Sequence, residues 1–122
     1  MPTPATPCSY VELHCHSAYS LLDGASLPEA LVERAAALGQ RALALTDHDE
    51  LGGIVAFAEA ARDRSIAGII GAEVTVDASR RNDNASAGTT ALHHLVLLAE
   101  SAEGYANLST LITRAARACA RG

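Results

Sequence analysis

Hydrophobic and polar positions along the chain fall into short runs of two kinds. In residues 11–16, Val11, Leu13 and Cys15 alternate with Glu12, His14 and His16, and a period of two predicts a strand. A 3.6-residue period follows: Leu27, Ala30, Leu31, Ala35 and Leu38 form one apolar face and predict a helix. Ser26 and Glu29 have the spacing of a capping box, Pro28 falls in the first turn, and Gly39 is placed to stop the helix. Residues 42–46 are a short apolar run that reads as a buried strand ending in Asp47-His48. Gly52-Gly53 opens a second helix with Ile54, Phe57, Ala58 and Ala61 on one side. Residues 66–70 read as a third strand, closed by Gly71-Ala72-Glu73, with 74–76 continuing extended. Residues 95–99 read as a fourth, and Gly104 leads into a last helix through Leu108, Leu111, Ile112, Ala115 and Cys119. Residues 1–9, with Pro2, Pro4 and Pro7, read as a tail, and residues 78–91 as a polar loop of small residues.

About four strands separated by three helices predict βαβ units and a mostly parallel sheet, hence an α/β domain. With 122 residues the chain is one domain at most, or a piece of one. Aromatic residues are only 3% and there is no Trp, so the core must come from Ala, Leu, Val and Ile. The net charge is −5, and all nine basic residues are Arg, with only Arg80 and Arg81 adjacent. That distribution excludes a basic patch gripping nucleic acid by its phosphates. Any contact with nucleic acid must then run through a metal site or through protein outside this chain. Cys8, Cys15 and Cys119 are odd in number and widely spaced, which excludes a disulfide framework or zinc ribbon and fits a reducing cytoplasm. No signal peptide is visible, and no apolar run approaches the ~18 residues of a membrane span, so no membrane partner is expected.

In parallel α/β folds, functional groups collect beyond the C-terminal ends of strands. The first predicted strand ends in His14-Cys15-His16, the second in Asp47-His48-Asp49, and the third in Gly71-Ala72-Glu73, while Asp23 lies in the loop after the first. His-x-His on a strand turns both imidazoles to one face, where they can share a metal ion, and turns Cys15 into the packing. Asp47 is a candidate partner for the second ring nitrogen of His48. Asp49 and Glu50 read as favourable charges at a helix N-terminus. His93 and His94 alternate, so only one faces the site; His94 precedes its strand and reaches the mouth only if that strand runs antiparallel or the loop folds back. Imidazoles with carboxylates suit Zn²⁺, Mn²⁺ or iron. Six candidate ligands exceed one tetrahedral ion and imply two or more metals, an arrangement that favours phosphate-ester hydrolysis.

The segments ELHCHSAYSLLDG (12–24), LALTDHDELGG (43–53), IIGAEVTV (69–76), HHLVLLA (93–99) and GYANLSTLIT (104–113) resemble, in order and spacing, the N-terminal PHP domain of bacterial C-family DNA polymerases. These are the polymerase III alpha subunit and its error-prone relatives. The resemblance implies the N-terminal part of a distorted seven-stranded (β/α) barrel, with a partial PHP domain over residues 10–122. It implies metal ligands at His14, His16, Asp23, His48, Glu73 and His94, so it selects His94 over His93. It implies two or three divalent transition metals in the complete domain and a phosphoesterase, such as a 3′–5′ exonuclease. Its further ligands, a Cys or His and an Asp-x-His pair, would lie beyond Gly122, and the polymerase palm is absent, so the chain is expected to be a fragment. Implied partners are DNA through the parent polymerase, a proofreading exonuclease subunit and other replisome subunits. The competing expectations are a free-standing phosphatase of the histidinol-phosphatase type, a non-catalytic scaffold that docks the proofreading subunit, and an amidohydrolase, many of which use a bridging Lys that this chain lacks.

Overall fold

The computed structural model describes residues 9–77 and 92–119. The predicted tail, apart from Ser9, and the predicted 78–91 loop lie outside the described residues. Among these residues the order is α1 (Pro28–Ala37), β1 (Ala42–Leu45), α2 (Ile54–Asp63), β2 (Ala67–Asp77), β3 (Leu92–Leu98) and α3 (Ala102–Cys119). The strands form one sheet in the order β1-β2-β3.

The sheet is half parallel rather than mostly parallel. β1 pairs in parallel with the first residues of β2, Ala42 opposite Ala67 and Leu45 opposite Ile70. The rest of β2 pairs antiparallel with β3, Gly71 opposite Leu98 and Asp77 opposite Leu92. Gly71 therefore does not close a strand; it lies inside one of 11 residues. A Cβ there would sit 2.5 Å from the Leu97 carbonyl oxygen, so the absence of a side chain lets β2 pass from one partner to the other.

The predicted strand over residues 11–16 is an extended segment with a single parallel bridge, Glu12 to Leu43. Side chains take donors that a ladder would use. The Cys15 N–H donates to Thr46 Oγ1 at 2.9 Å and the His14 N–H to Glu12 Oε1 at 2.9 Å. Two backbone bonds still hold the segment beside β1: Ala44 N–H to Glu12 O and Thr46 N–H to Cys15 O, both 2.9 Å.

The helices cover one face of the sheet. Val32 and Ala35 of α1, Ile54, Phe57 and Ala61 of α2, and Leu43 and Leu45 of β1 form the main core. A second cluster joins Ala72 and Val74 of β2 to Leu108 of α3. α2 buries three of the four residues its periodicity names, leaving Ala58 exposed. α1 is turned from its predicted face: Pro28, Val32 and Ala35 are buried, while Leu27, Ala30 and Leu38 are exposed. Ser26 does not cap it. Leu27 holds the cap position without a side-chain bond, and the Ser26 carbonyl instead accepts from Ala18 N–H at 2.8 Å, closing the loop after the first segment.

Candidate metal centre

Because side chains alternate across a strand, the residues between the core-facing ones share the opposite face. Glu73 and Thr75 of β2 stand on that face, opposite Val96 and His94 of β3. Where β1 ends, the chain runs on through Thr46 and Asp47, and a parallel bridge joins His48 to Glu73. The segment carrying His14 and His16 lies on the other side of β1. Four stretches of sequence thus converge on one mouth.

Glu73 is its centre. This carboxylate is 7% exposed. Its Oε2 meets His14 Nε2 in a very short contact and His16 Nε2 at 3.1 Å, and its Oε1 meets His94 Nδ1 at 2.9 Å. Asp23 Oδ2 lies 3.3 Å from His16 Nδ1 and 3.7 Å from His48 Nδ1. Burial by itself pushes the Glu73 carboxyl up, but hydrogen bonds and charge from His14 and His16 bring it below the ordinary carboxylate value.

His48 is held differently from the other rings. Its Nε2 is 2.7 Å from Thr75 Oγ1 and 3.3 Å from Asp49 Oδ2. Asp49 also accepts from the Thr75 N–H at 2.8 Å and the Thr75 hydroxyl at 2.7 Å. The sequence pattern gave Asp49 only a helix-end charge and Thr75 no role at all. A carboxylate followed by a hydroxyl on the site-facing parity of β2 is the signal that could have found them.

The expected Asp47–His48 ring bond is not formed. Asp47 is buried, and its carboxylate accepts from Ser17 N–H at 2.6 Å, Ser17 Oγ at 2.7 Å and Ser20 Oγ at 2.7 Å. Ser20 Oγ in turn accepts the His48 N–H at 3.0 Å. Asp47 therefore fixes the loop that carries Asp23, and it reaches His48 only at its backbone. Gly24 completes that loop: a Cβ there would sit 1.9 Å from the Ser17 carbonyl oxygen. Cys15 is half-buried against the main core, with burial raising its thiol, so it packs as its parity predicts.

The donor set fits a cation. His14, His16 and Glu73 each offer one ligand atom, all within 4.8 Å of one another, and His48, Glu73 and His94 do the same. Ligands at the usual ~2.1 Å from a tetrahedral metal lie about 3.4 Å apart. Among the described residues, no Arg pairs with Asp23, Asp47, Asp49 or Glu73. Arg62 pairs with Asp63 on α2, and Arg64 at the end of α2 pairs with Glu33 on α1. Among the described residues, the groups at the mouth that can carry positive charge are the imidazoles.

A sequence model of the PHP domain matches residues 12–120. The chain belongs to the PHP domain family. This PHP chain is 50% identical over 107 residues to the error-prone DNA polymerase of Mycobacterium tuberculosis (strain ATCC 25618 / H37Rv), a match covering 88% of the chain and 10% of that polymerase. It is 44% identical over 108 residues to DNA polymerase III subunit alpha of Treponema pallidum (strain Nichols), covering 88% and 9%. The chain thus spans about a tenth of the polymerases it matches. A solved structure assigned as a metal-dependent phosphoesterase, from Bifidobacterium adolescentis, is similar with a TM-score of 0.57 and 29% identity over 75% of the chain and 28% of its own. An amidohydrolase from Chromobacterium violaceum, solved with sulfate and no metal, gives 0.61 and 36% over 82% and 32%. The half-parallel sheet with its helices on one face is therefore part of a PHP fold.

Proposed function

We propose that this chain is the PHP module of a bacterial DNA polymerase of the error-prone or polymerase III alpha type, and that it is a metal-dependent phosphoesterase. Residues 10–122 form the part of the domain in hand, and His14, His16, Asp23, His48, Glu73 and His94 hold two or more divalent transition metals, Zn, Mn or Fe. The observation that carries this reading is the Glu73 carboxylate, one oxygen turned to His14 and His16 and the other to His94. Such a carboxylate bridges two sites. Ions bound there supply a nucleophile at neutral pH and offset charge on a phosphoryl group.

The residues do the rest. Glu73 spaces the two groups of imidazoles. Asp47, through Ser17 and Ser20, keeps Asp23 at the rim. In this part of the domain the side chains of His14 and Asp23 are 54% and 53% exposed. The proposed substrate is the 3′ terminus of DNA presented by the parent polymerase in the cytoplasm. The likeness to an amidohydrolase favours one other reading, hydrolysis of an amide at the same ligands.

The test uses the full-length protein. Elemental analysis should find at least two transition-metal ions bound by this domain, and the double variant H14A/H16A should lose at least one of them. Fewer than one ion in the wild type overturns the metal reading. With metal bound, Mn²⁺- or Zn²⁺-dependent release of nucleotides from a DNA 3′ end is expected. Metal without any hydrolysis would instead favour a scaffold that docks a proofreading subunit, and amide hydrolysis alone the second reading.

A further inference from the structure

We infer that Asp49 and Thr75 are positioning residues that fix the tautomer of His48 and so choose which of its nitrogens can bind metal; this rests on the metal reading above. The hydrogen-bond chain has one consistent direction. The Asp49 carboxylate can only accept, so the Thr75 hydroxyl, 2.7 Å from Asp49 Oδ2, donates its single hydrogen there. Thr75 Oγ1 also lies 2.7 Å from His48 Nε2, and with its hydrogen committed it can only accept. The neutral His48 ring therefore carries its proton on Nε2. Its lone pair is left on Nδ1, the nitrogen 3.7 Å from Asp23 Oδ2, close to the ~3.4 Å separation of two ligands on one tetrahedral ion.

The backbone supports the same geometry. Asp49 sits in the left-handed region with φ 55, a conformation that Asp and Asn adopt more readily than most residues. Its N–H donates to the Glu73 carbonyl at 2.8 Å and its Oδ1 accepts the Thr75 N–H at 2.8 Å, so it is bound to β2 at two points. The pair thus ties His48 to the strand that carries Glu73. A ring able to spin or to exchange tautomers would present a protonated Nδ1 part of the time.

The test is calorimetric titration of metal-free, full-length protein with Zn²⁺ or Mn²⁺, with the visible spectrum of the Co²⁺ form as a second readout. Thr75→Val keeps the β-branched shape but removes the hydroxyl, and should weaken metal binding about 10–100-fold. Thr75→Ser restores the hydroxyl and should return to within about threefold of wild type. Asp49→Asn keeps the left-handed backbone, but its amide donates to Thr75 Oγ1, turns the hydroxyl toward His48 Nε2 and moves the ring proton to Nδ1. It should lose affinity as Thr75→Val does and alter the Co²⁺ spectrum; if the Val variant fails to fold, it carries the test alone. Wild-type affinity in Thr75→Val or Asp49→Asn overturns the inference, as does a Ser variant as weak as the Val one. A wild-type protein that binds no metal instead overturns the metal reading and takes this inference with it.

Discussion

Asp47 and Glu73 are both buried carboxylates at the end of β1 and the middle of β2, joined by the Glu73 N–H donating to the Asp47 carbonyl at 3.1 Å. Their surroundings divide them. Asp47 receives two hydroxyls and a backbone N–H, donors that satisfy a carboxylate and tie the loop together. Glu73 receives imidazoles, which can shed a proton and offer a lone pair. Burial and acidity alone therefore do not mark a ligand. The chemistry of the groups facing the carboxylate decides whether it holds a loop or shares a cation.

The largest expected effect is on Asp47. Asp47→Ala strands three donors around a buried gap and should cost about 3–5 kcal/mol, read as loss of stability and new protease cleavage between residues 17 and 24 of the full-length protein. A loss under about 1 kcal/mol would erase the distinction between the two carboxylates. Next is Glu73→Gln, which should leave folding within about 1 kcal/mol but weaken metal binding roughly 100-fold, measured by titration of metal-free protein. The reverse outcome, unfolding with metal affinity intact, would exchange the roles of the pair. Gly24→Ala, driven into the Ser17 carbonyl at 1.9 Å, should cost about 2 kcal/mol and lower affinity only at the ion that uses Asp23.

The smallest effect is a pH dependence. The Glu73 carboxyl lies below its ordinary value, because His14 and His16 outweigh the opposing effect of burial. Its contribution to the stability of metal-free protein is then complete above the unfolded value of about 4.3 and disappears as pH falls through the lower folded value. Denaturation of wild type and Glu73→Gln without metal should show a gap at pH 6 that closes below about pH 4. A gap that widens on acidification would reverse the sign assigned to Glu73.

Local pattern made β1 and α2 legible in the sequence, while it misplaced the buried face and cap of α1. The four apolar residues of β1 are all buried, and Ile54, Phe57 and Ala61 of α2 face the core as their spacing predicts. The family was legible as well, because the segments 12–24, 43–53, 69–76, 93–99 and 104–113 keep the order and spacing of a PHP domain. Strand direction was not: the apolar run read as a strand over 95–99 is the same in either sense, so the antiparallel course that brings His94 to Glu73 stood only as a condition, and His94, expected before the strand, lies inside β3. Glycine misled at position 71, where a close approach to Leu97, not a strand end, requires it. The role of Asp47 was hidden for another reason. Its partners lie 27 and 30 residues earlier, and nothing local distinguishes a hydroxyl from an imidazole as the group awaiting its oxygens.

The two-sided parity of β2 has a consequence for how the protein comes together. Ala72 and Val74 enter the core while Glu73 and Thr75 enter the mouth. A slip of one residue would turn the carboxylate into the helices and the valine toward the histidines, so a state slipped by one residue carries a buried unpaired charge as well as a broken core. Apolar packing and site geometry thus proofread the same alignment. Registering β2 against the end of β1 and against β3 is itself the step that brings Glu73, His48 and His94 together.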